Sequence, residues 1–535
     1  MSPDTPLKGP AGESHRLWHK IGIASAIMMA SIFLSRVMGL IREMVIAGVA
    51  GADTAVDAYR VAFVVPEILN HILASGFLSV TFIPIFSRYL AEKRDGEGWR
   101  VFSLILTVFG AFLLVLIVVA EILAPALIGL LAPGRTDPVF LSMAVRMTRI
   151  ILPAQFFFFA GGLLMAVQFA REQFFIPALA PLVYNLGIIL GGVLLAAFCG
   201  MEGFAWGVLG GSLVGNFAIQ IWGARRIGMR FAPVWQWRHP DLWRYLRLTL
   251  PLMFGLTMMF STEIFTKFFG SYLPAGSIAW IEYAMRIMLM LVAFFGQAVG
   301  VASYPFMARM AAEGRIADMN QLLNDALRYL CIVLPFAVLI IVLREEVVTL
   351  LYMRGKFTRA DVLMTAPVLG FLMVGAMAFA SQTVVNRGFY AMQNTLLPAA
   401  YGTLAVILSI PLYFAGMHWM GIKGVGLAVS VSAIGQVALM YAIWNRRSHN
   451  TGSGAVYRFF IKMVLVSIPL GGGLILLRWG VAAMVDVRTF YGSLVTTTVV
   501  GSAFLLFLLI LGYGFRIREI TVFLQRLSRR LKHRR

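Results

Sequence analysis

The chain has 535 residues, 60% of them hydrophobic and only 13% charged, with a mean hydropathy of +0.84. A soluble domain is nearer half apolar and about one quarter charged, and no gap between the apolar runs is long enough to hold a soluble catalytic domain. The formal charge of +21 does not indicate nucleic acid, because the lysines and arginines cluster in alternate loops. That is the positive-inside pattern of a membrane protein, whose basic loops face anionic lipid headgroups.

Apolar runs long enough to cross about 30 Å of hydrocarbon recur from end to end. They predict an all-α polytopic membrane protein of about fourteen transmembrane helices, at 21–49, 56–90, 101–131, 140–169, 174–199, 203–224, 242–272, 277–310, 322–351, 360–391, 395–416, 421–444, 456–482 and 490–514. The polar stretch 1–20 precedes a span too long for a signal-peptide core and without a small-residue cleavage site, so it is expected to stay as a cytoplasmic tail. Loops ending the even-numbered helices carry clusters such as Arg88, Lys93, Arg94 and Arg100, or Arg225, Arg226 and Arg230. About 29 basic residues fall on that side and about 8 on the other, which places both termini in the cytoplasm. Arg354, Lys356 and Arg359 form the largest outer exception. Cys199 and Cys331 are the only cysteines and fall near the ends of different helices on opposite faces, so neither a disulfide nor a cysteine metal site is expected.

A shift of 221 residues superposes 82–92 on 303–313, Gly134 on Gly355, 176–178 on 397–399, Gly203 on Gly424, and Arg225–Arg226 on Arg446–Arg447. The spacing predicts a parallel duplication: two six-helix lobes in the same orientation, plus two extra C-terminal helices. Transporters built on such an axis hold substrate between the halves and alternate access by rocking them.

Several helices carry charges that hydrocarbon disfavours. A charge near the bilayer centre costs roughly 2.5–3.5 kcal/mol even on an insertion scale. Arg36 stands near the middle of the first helix, and Arg42 lies roughly 120° around from it. Both are expected to face a cavity, with outward snorkelling as the alternative for Arg42. The second helix opens with Asp53 and Asp57, and Asp57 suits either an N-cap or a gate. It continues through Arg60, Glu67, Asn70 and His71. The last three follow Pro66, which kinks a helix and frees carbonyls, and Glu67 is a candidate partner for Arg36 or Arg42. In the second half, Glu263 and Lys267 fall in the seventh helix, Glu282 and Arg286 in the eighth, and Asn386 and Arg387 in the tenth. Glu282 and Arg286 are spaced as a favourable i, i+4 pair. Arg344, Glu345 and Glu346 are expected at the outer interface.

Arginine dominates these positions. Its guanidinium fork stays protonated and grips phosphate or carboxylate through two bonds, so the cavity is expected to select an anionic head, particularly a pyrophosphate. No metal motif, nucleophile–base arrangement or nucleotide-binding loop is present, so no cofactor and no bond chemistry are expected. The glycines at 424–426 and 471–473 read as close-packing sites.

The stretches SRVMGLIRE (35–43), GADTAVDAYRVAFVVP (51–66), FIPIFSRY (82–89), IPALAP (176–181), SIAWIEYAMRIM (277–288) and RGKFTRADVLMT (354–365) closely resemble the MurJ/MviN lipid II flippases. Those proteins belong to the multidrug/oligosaccharidyl-lipid/polysaccharide exporter superfamily. The resemblance implies a cationic central cavity, and a groove from the last two helices for an undecaprenyl tail. It implies essential roles for Ser35, Arg36, Arg42 and Arg286, and an outer-side role for Asp57. The chain departs from the family at Glu67, Asn70 (beside His71), Ser75, Met285 and Leu289, which leaves the gate and the coupling ion outside what the resemblance supplies.

The organisation expected is a cytoplasmic tail at 1–20, a first lobe at 21–226, a second lobe at 227–447, a lipid-tail groove at 448–515 and a basic tail at 516–535. The function expected is flipping of the lipid-linked peptidoglycan precursor across the bacterial cytoplasmic membrane. Asp57, Glu67, Asn70, His71, Glu263, Glu282 and Arg387 are gate or cavity candidates. Membrane potential or an ion gradient is the expected drive, and other cell-wall synthesis proteins are expected partners. Export of another polyprenyl-linked oligosaccharide is the alternative. A drug exporter is disfavoured because the arginines repel a cation, and a polyprenyl-phosphate enzyme because the loops hold no nucleophile or carboxylate cluster.

Overall fold

The structure, a computed structural model, describes residues 10–73, 81–256, 261–394 and 396–514. Ser75 and the basic tail at 516–535 lie outside them. Every regular element among the described residues is helical. The first half comprises α1 (Pro10–Ala50), α2 (Thr54–Ala62), α3 (Val64–Leu73), α4 (Ile83–Ala91), α5 (Asp95–Leu131), α6 (Pro138–Ile151), α7 (Ala154–Ala170), α8 (Phe175–Cys199), α9 (Glu202–Gly211) and α10 (Ile219–Arg226). The second comprises α11 (Pro240–Leu256), α12 (Ser261–Ser271), α13 (Ser277–Val292), α14 (Ala298–Ala312), α15 (Ile316–Leu330), α16 (Val333–Val342), α17 (Arg344–Tyr352), α18 (Arg359–Val374), α19 (Ala376–Ala391), α20 (Leu396–Met420) and α21 (Ile422–Arg447). The C-terminal pair is α22 (Ser453–Ala482) and α23 (Phe490–Gly514).

Among the described residues, ten helical runs are long and apolar enough to cross a membrane, and the bent pair α18–α19 makes an eleventh. The other expected spans, at 21–49, 56–90 and 242–272, fall on α1, on α2 to α4 and on α11 to α12. The latter two run through residues outside the described set. Part of the expected N-terminal tail is helix, because α1 begins at Pro10.

Proline and hydroxyl chemistry account for the breaks. Pro66 has no N–H for the carbonyl of Ala62, and the chain turns at Phe63 between α2 and α3. The Thr148 hydroxyl lies 3.4 Å from that freed oxygen, while its shorter bond, 2.7 Å, goes to the Ala144 carbonyl. Between α18 and α19 the axis bends by 44°. There the Ser430 hydroxyl is inserted: it donates to the Phe371 carbonyl at 2.7 Å and accepts from the Gly375 N–H at 3.1 Å. A side chain entering the helical ladder is a recognised cause of such a bend. Two π-helical turns, Ser212–Ala218 and Ala293–Gln297, lie inside the sixth and eighth spans.

The chain forms two compact units. The first contains 1–49, 61–130 and 137–256, and the second contains 50–60, 131–136 and 257–535. The division at 256/257 falls later than the 226/227 boundary expected from the repeat. The physical reason is Asp241 on α11, nearly buried, which accepts 2.9 and 3.1 Å bonds from Arg88 and a 2.6 Å bond from the Tyr89 hydroxyl. These contacts hold α11 in the first unit. Helix ends recur at the same 221-residue spacing as the sequence matches: Asp95 and Ile316, Pro138 and Arg359, Phe175 and Leu396, Cys199 and Met420, Arg226 and Arg447.

In the second unit, α22 and α23 pack against α16 through Val466, Leu470, Leu474, Val500, Phe504 and Leu508. Glu346, expected near the outer end of its helix, is not exposed there. It is fully buried and receives a 2.6 Å bond from Arg478 Nε of α22. A buried pair that loses one member leaves an uncompensated charge. Glu346→Ala is therefore expected to cost about 3–5 kcal/mol, seen as a lower thermal midpoint in detergent, while Arg478→Met/Glu346→Leu recovers most of it.

Candidate functional site

The first unit places Arg36 and Arg42 in different surroundings. Arg36 is exposed and Ser35 half-buried. Arg42 is largely buried: its Nη1 donates to Asn185 Oδ1 at 3.1 Å, and its Nη2 to Glu43 Oε1 at 2.8 Å. Asn185 is itself held by a 2.8 Å bond from its amide to the Pro181 carbonyl, which aims its oxygen at Arg42. One turn before Arg36, the Ser31 hydroxyl donates to the Ala178 carbonyl at 2.6 Å. Both bonds dock α1 on α8. Glu43, buried beside Arg42, is reached although neighbours i and i+1 do not face each other on a helix, because the long arginine folds back to it. Glu67, Asn70 and His71 are half-buried on α3, and His71 Nδ1 lies 2.8 Å from the Glu67 carbonyl.

Asp57 belongs to the second unit, and it is not the cap of its own helix. Asp53 fills that place, accepting from the N–H groups of Ala55 and Val56 at 2.9 and 3.0 Å. Asp57, fully buried, instead accepts from Gly276 N at 2.8 Å, Ala279 N at 2.9 Å and Arg135 Nη2 at 2.8 Å. It thus caps the N-terminus of α13, whose own N-cap residue, Gly276, has no side chain to do so and adopts φ +88°. A carboxylate suits the positive end of a helix dipole. Arg135, absent from the sequence candidates, is the counter-charge. Around it, the Tyr283 hydroxyl donates to the Gly51 carbonyl at 2.9 Å, and the Arg60 guanidinium lies 5.2 Å from the Tyr283 ring.

Deeper along α13 is a chain of alternating charge. Lys267 Nζ, on α12, binds Glu263 one turn before it and lies 3.2 Å from Glu282 Oε1. Glu282 Oε2 in turn lies 3.8 Å from Arg286 Nη2. The expected Glu282–Arg286 pair is present but long, and Lys267 is the nearer partner. Lys267 is the hub, and its side chain is almost wholly buried, whereas that of Arg286 is 39% exposed. Arg286 thus keeps part of its side chain accessible, with its Nη2 turned toward Glu282.

That guanidinium faces a cavity of about 920 Å³ within the second unit. Glu263, Glu282, Arg286, Met285 and Leu289 line it from α12 and α13; Gln297 and Tyr304 from α14 and the π turn before it; Gln382, Asn386, Arg387 and Tyr390 from α19. Tyr413 of α20 and Gln436 of α21 complete the wall. Met285 and Leu289, two of the positions that depart from the resemblance, are both on it. The π turn follows two turns after Arg286, and its Gly296 carbonyl accepts a 3.0 Å bond from the Thr383 hydroxyl of α19. Such turns often occur at functional sites. The cavity is large enough for a sugar- or phosphate-sized head, and its basic, amide and phenol groups all donate hydrogen bonds.

Helices throughout the described residues, in two compact units of which the second encloses a polar, arginine-bearing cavity, define a polytopic membrane transporter of the multidrug/oligosaccharidyl-lipid/polysaccharide type. Solved structures share the fold. A lipid II flippase MurJ in an inward closed conformation matches with a TM-score of 0.75 and 23% identity, covering 91% of this chain and 99% of that one. An inward-facing multidrug resistance transporter of the MATE family matches with a TM-score of 0.64 and 14% identity, covering 79% and 96%. Residues 46–500 match the family model for lipid II flippase MurJ, and the chain belongs to that family. Among curated relatives, the probable lipid II flippase MurJ of Buchnera aphidicola (from Acyrthosiphon pisum) is 27% identical over 490 residues, 90% of this chain and 95% of its own length. The lipid II flippase MurJ of Burkholderia cenocepacia is 27% identical over 454 residues, 83% and 87% of the two. The chain is accordingly a multi-pass protein of the bacterial inner membrane.

Two substitutions test the geometry. Asp57→Asn keeps the size but weakens the cap on α13 and strands Arg135; a loss of about 1–2 kcal/mol is expected, read as a lower thermal midpoint. Lys267→Met leaves Glu263 and Glu282 without their shared cation, and is expected to lower the midpoint more than Lys267→Met combined with Glu263→Gln, which removes one of the two carboxylates.

Proposed function

We propose that this protein flips lipid II, the undecaprenyl-diphosphate-linked peptidoglycan precursor, from the inner to the outer leaflet of the cytoplasmic membrane by alternating access. The observation that carries the reading is the cavity of the second unit, which Arg286 lines from within an apolar helix, its Nη2 3.8 Å from Glu282. A guanidinium so placed grips a diphosphate through two charge-assisted bonds, and no other common head pays back the cost of keeping arginine there so well. Exposed Arg36, with Ser35 beside it, is the corresponding ligand of the first unit. Arg42, matched by Glu43 and Asn185, sets the position of α1.

In this reading no bond is made or broken: the protein is a transporter and not an enzyme. Both termini lie in the cytoplasm, and membrane potential or an ion gradient drives the cycle. Helices α22 and α23 supply the surface along which the polyprenyl tail slides. Access from the outer side requires Asp57 to release the first turn of α13. Other cell-wall synthesis proteins supply and consume the cargo.

The test is replacement. In a bacterium depleted of its own flippase, the wild-type chain is expected to restore growth and to make precursor headgroups accessible to a periplasmic probe. Arg286→Ala and Arg36→Ala, present at equal amounts in the membrane, are expected to lower that accessibility at least about tenfold, as loss of a charged hydrogen-bonding partner does. Growth supported by Arg286→Ala as the sole flippase overturns the reading.

A further inference from the structure

The cavity of the second unit holds one cation that its own walls leave unmatched. Its two carboxylates, Glu263 and Glu282, are both bound to Lys267, and Glu282 also faces Arg286. Across the cavity, α19 carries Gln382, Thr383, Asn386, Arg387 and Tyr390, spaced i, i+1, i+4, i+5 and i+8, so that all five fall on one face of the helix. Arg387 forms no ion pair among the described residues, and its Nη1 is buried with no hydrogen-bond partner. A guanidinium nitrogen buried that way is unfavourable unless something else supplies the acceptor.

The packing around it is specific. Arg387 Nη1 lies over Gly300 of α14: a Cβ there would come within 2.5 Å of it and 3.3 Å from Thr383 Oγ1. Gly300 is the space in which the guanidinium rests, and any larger residue must push it aside. The neighbours that line the cavity with it, Asn386 and Gln382 from the same face and Tyr304 and Tyr390, bring amide and phenol donors and no carboxylate.

We propose that Arg387, seated on Gly300 and flanked by Asn386, is an oxyanion subsite of the second unit, separate from the ion-paired Arg286. Its ligand is a phosphate or carboxylate of the transported head. The subsite deepens the proposed function and rests on it for the identity of that head. Two groups of a lipid-linked peptidoglycan precursor have this chemistry: the diphosphate and the carboxylates of its peptide.

The experiment uses the full-length protein in lipid nanodiscs and two soluble probes, inorganic pyrophosphate and a muramyl pentapeptide lacking the diphosphate. Wild type is expected to bind at least one. Arg387→Gln is expected to weaken that binding about tenfold or more, the usual loss when a charged partner is removed, with a melting temperature no lower than wild type, because an unmatched cation has been taken out. Arg387→Lys keeps the charge but not the fork, and is expected to fall between them. Loss for pyrophosphate alone assigns the subsite to the diphosphate; loss for the pentapeptide alone assigns it to the peptide carboxylates. Should Arg387→Gln fail to fold, Gly300→Ala, which displaces the guanidinium and keeps its charge, is expected to give the same loss. The proposal is overturned if wild type binds neither probe, or if the folded variant binds both within twofold of wild type. Probe binding that depends on Arg387 in a protein that fails to flip lipid II would overturn the cargo and leave the subsite standing.

Discussion

The second unit depends on a carboxylate donated to a helix 219 residues away in sequence. Asp57 accepts two backbone N–H groups from the start of α13 and is neutralised by Arg135. Those N–H groups have no partner within their own helix, and Gly276 offers no side chain in their place. Without Asp57 the first turn of α13 would be a buried, uncapped end. Everything chemically useful in the unit follows from the position of that helix. Glu282 and Arg286 lie one and a half to two and a half turns inward, Tyr283 reaches back to Gly51, and the π turn that brings Gln297 to the cavity begins at Ala293. The residue that fixes the site is therefore outside the cavity it shapes.

Charge is handled in a consistent way elsewhere. Arg42 is met by Glu43, Asp241 by Arg88, Glu346 by Arg478, and Lys267 by both Glu263 and Glu282. Each of these groups joins two elements or stiffens one. Buried pairs contribute little net stability against well-packed apolar residues, but they fix one arrangement, because breaking one leaves a charge in a low dielectric. Against that background the cavity stands out: Arg286 has its counter-charge at 3.8 Å and Arg387 has none among the described residues. The protein neutralises its charges where they build architecture and leaves positive charge in excess where a head of opposite sign can enter.

Much of the fold was legible because hydrophobic length is a local property. The hydropathy ends at 174–199 and 490–514 agree with α8 and α23 to within a residue. Pro66 announced its break, since a missing N–H is written in the residue itself. Partners were less legible. That Asp57 caps α13 rather than α2 depends on tertiary placement, and Asp53 at the proper spacing was the only hint. Lys267 was visible as an intramembrane cation, but its role between two carboxylates depends on how α12 packs against α13. The π turns left no signal, because one extra residue in a helix changes no residue type. Nothing in the residues around Arg135 marks it, and only its bond to a buried aspartate distinguishes it.

The segment RGKFTRAD, which carries much of the resemblance to the family, illustrates why a distinctive motif need not bind anything. Thr358 and Asp361 form a capping box at the start of α18, and Asp361 also accepts a 3.0 Å bond from the Trp280 indole. Phe357, fully buried, stands edge-on to Tyr283 with ring centres 5.3 Å apart. Arg359 binds Glu345 at 2.6 Å, which accounts for part of the positive charge that looked misplaced on the outer side. The backbone of Lys356 comes so close to Gly51 that a Cβ there would lie 2.8 Å from its carbonyl oxygen. Two of the stretches that identify the family, at 51–66 and 354–365, are thus largely one piece of joinery around the N-terminal end of α13. Their specificity reflects the tight geometry needed to hold a helix by its end, and that helix in turn carries the arginine that faces the cavity.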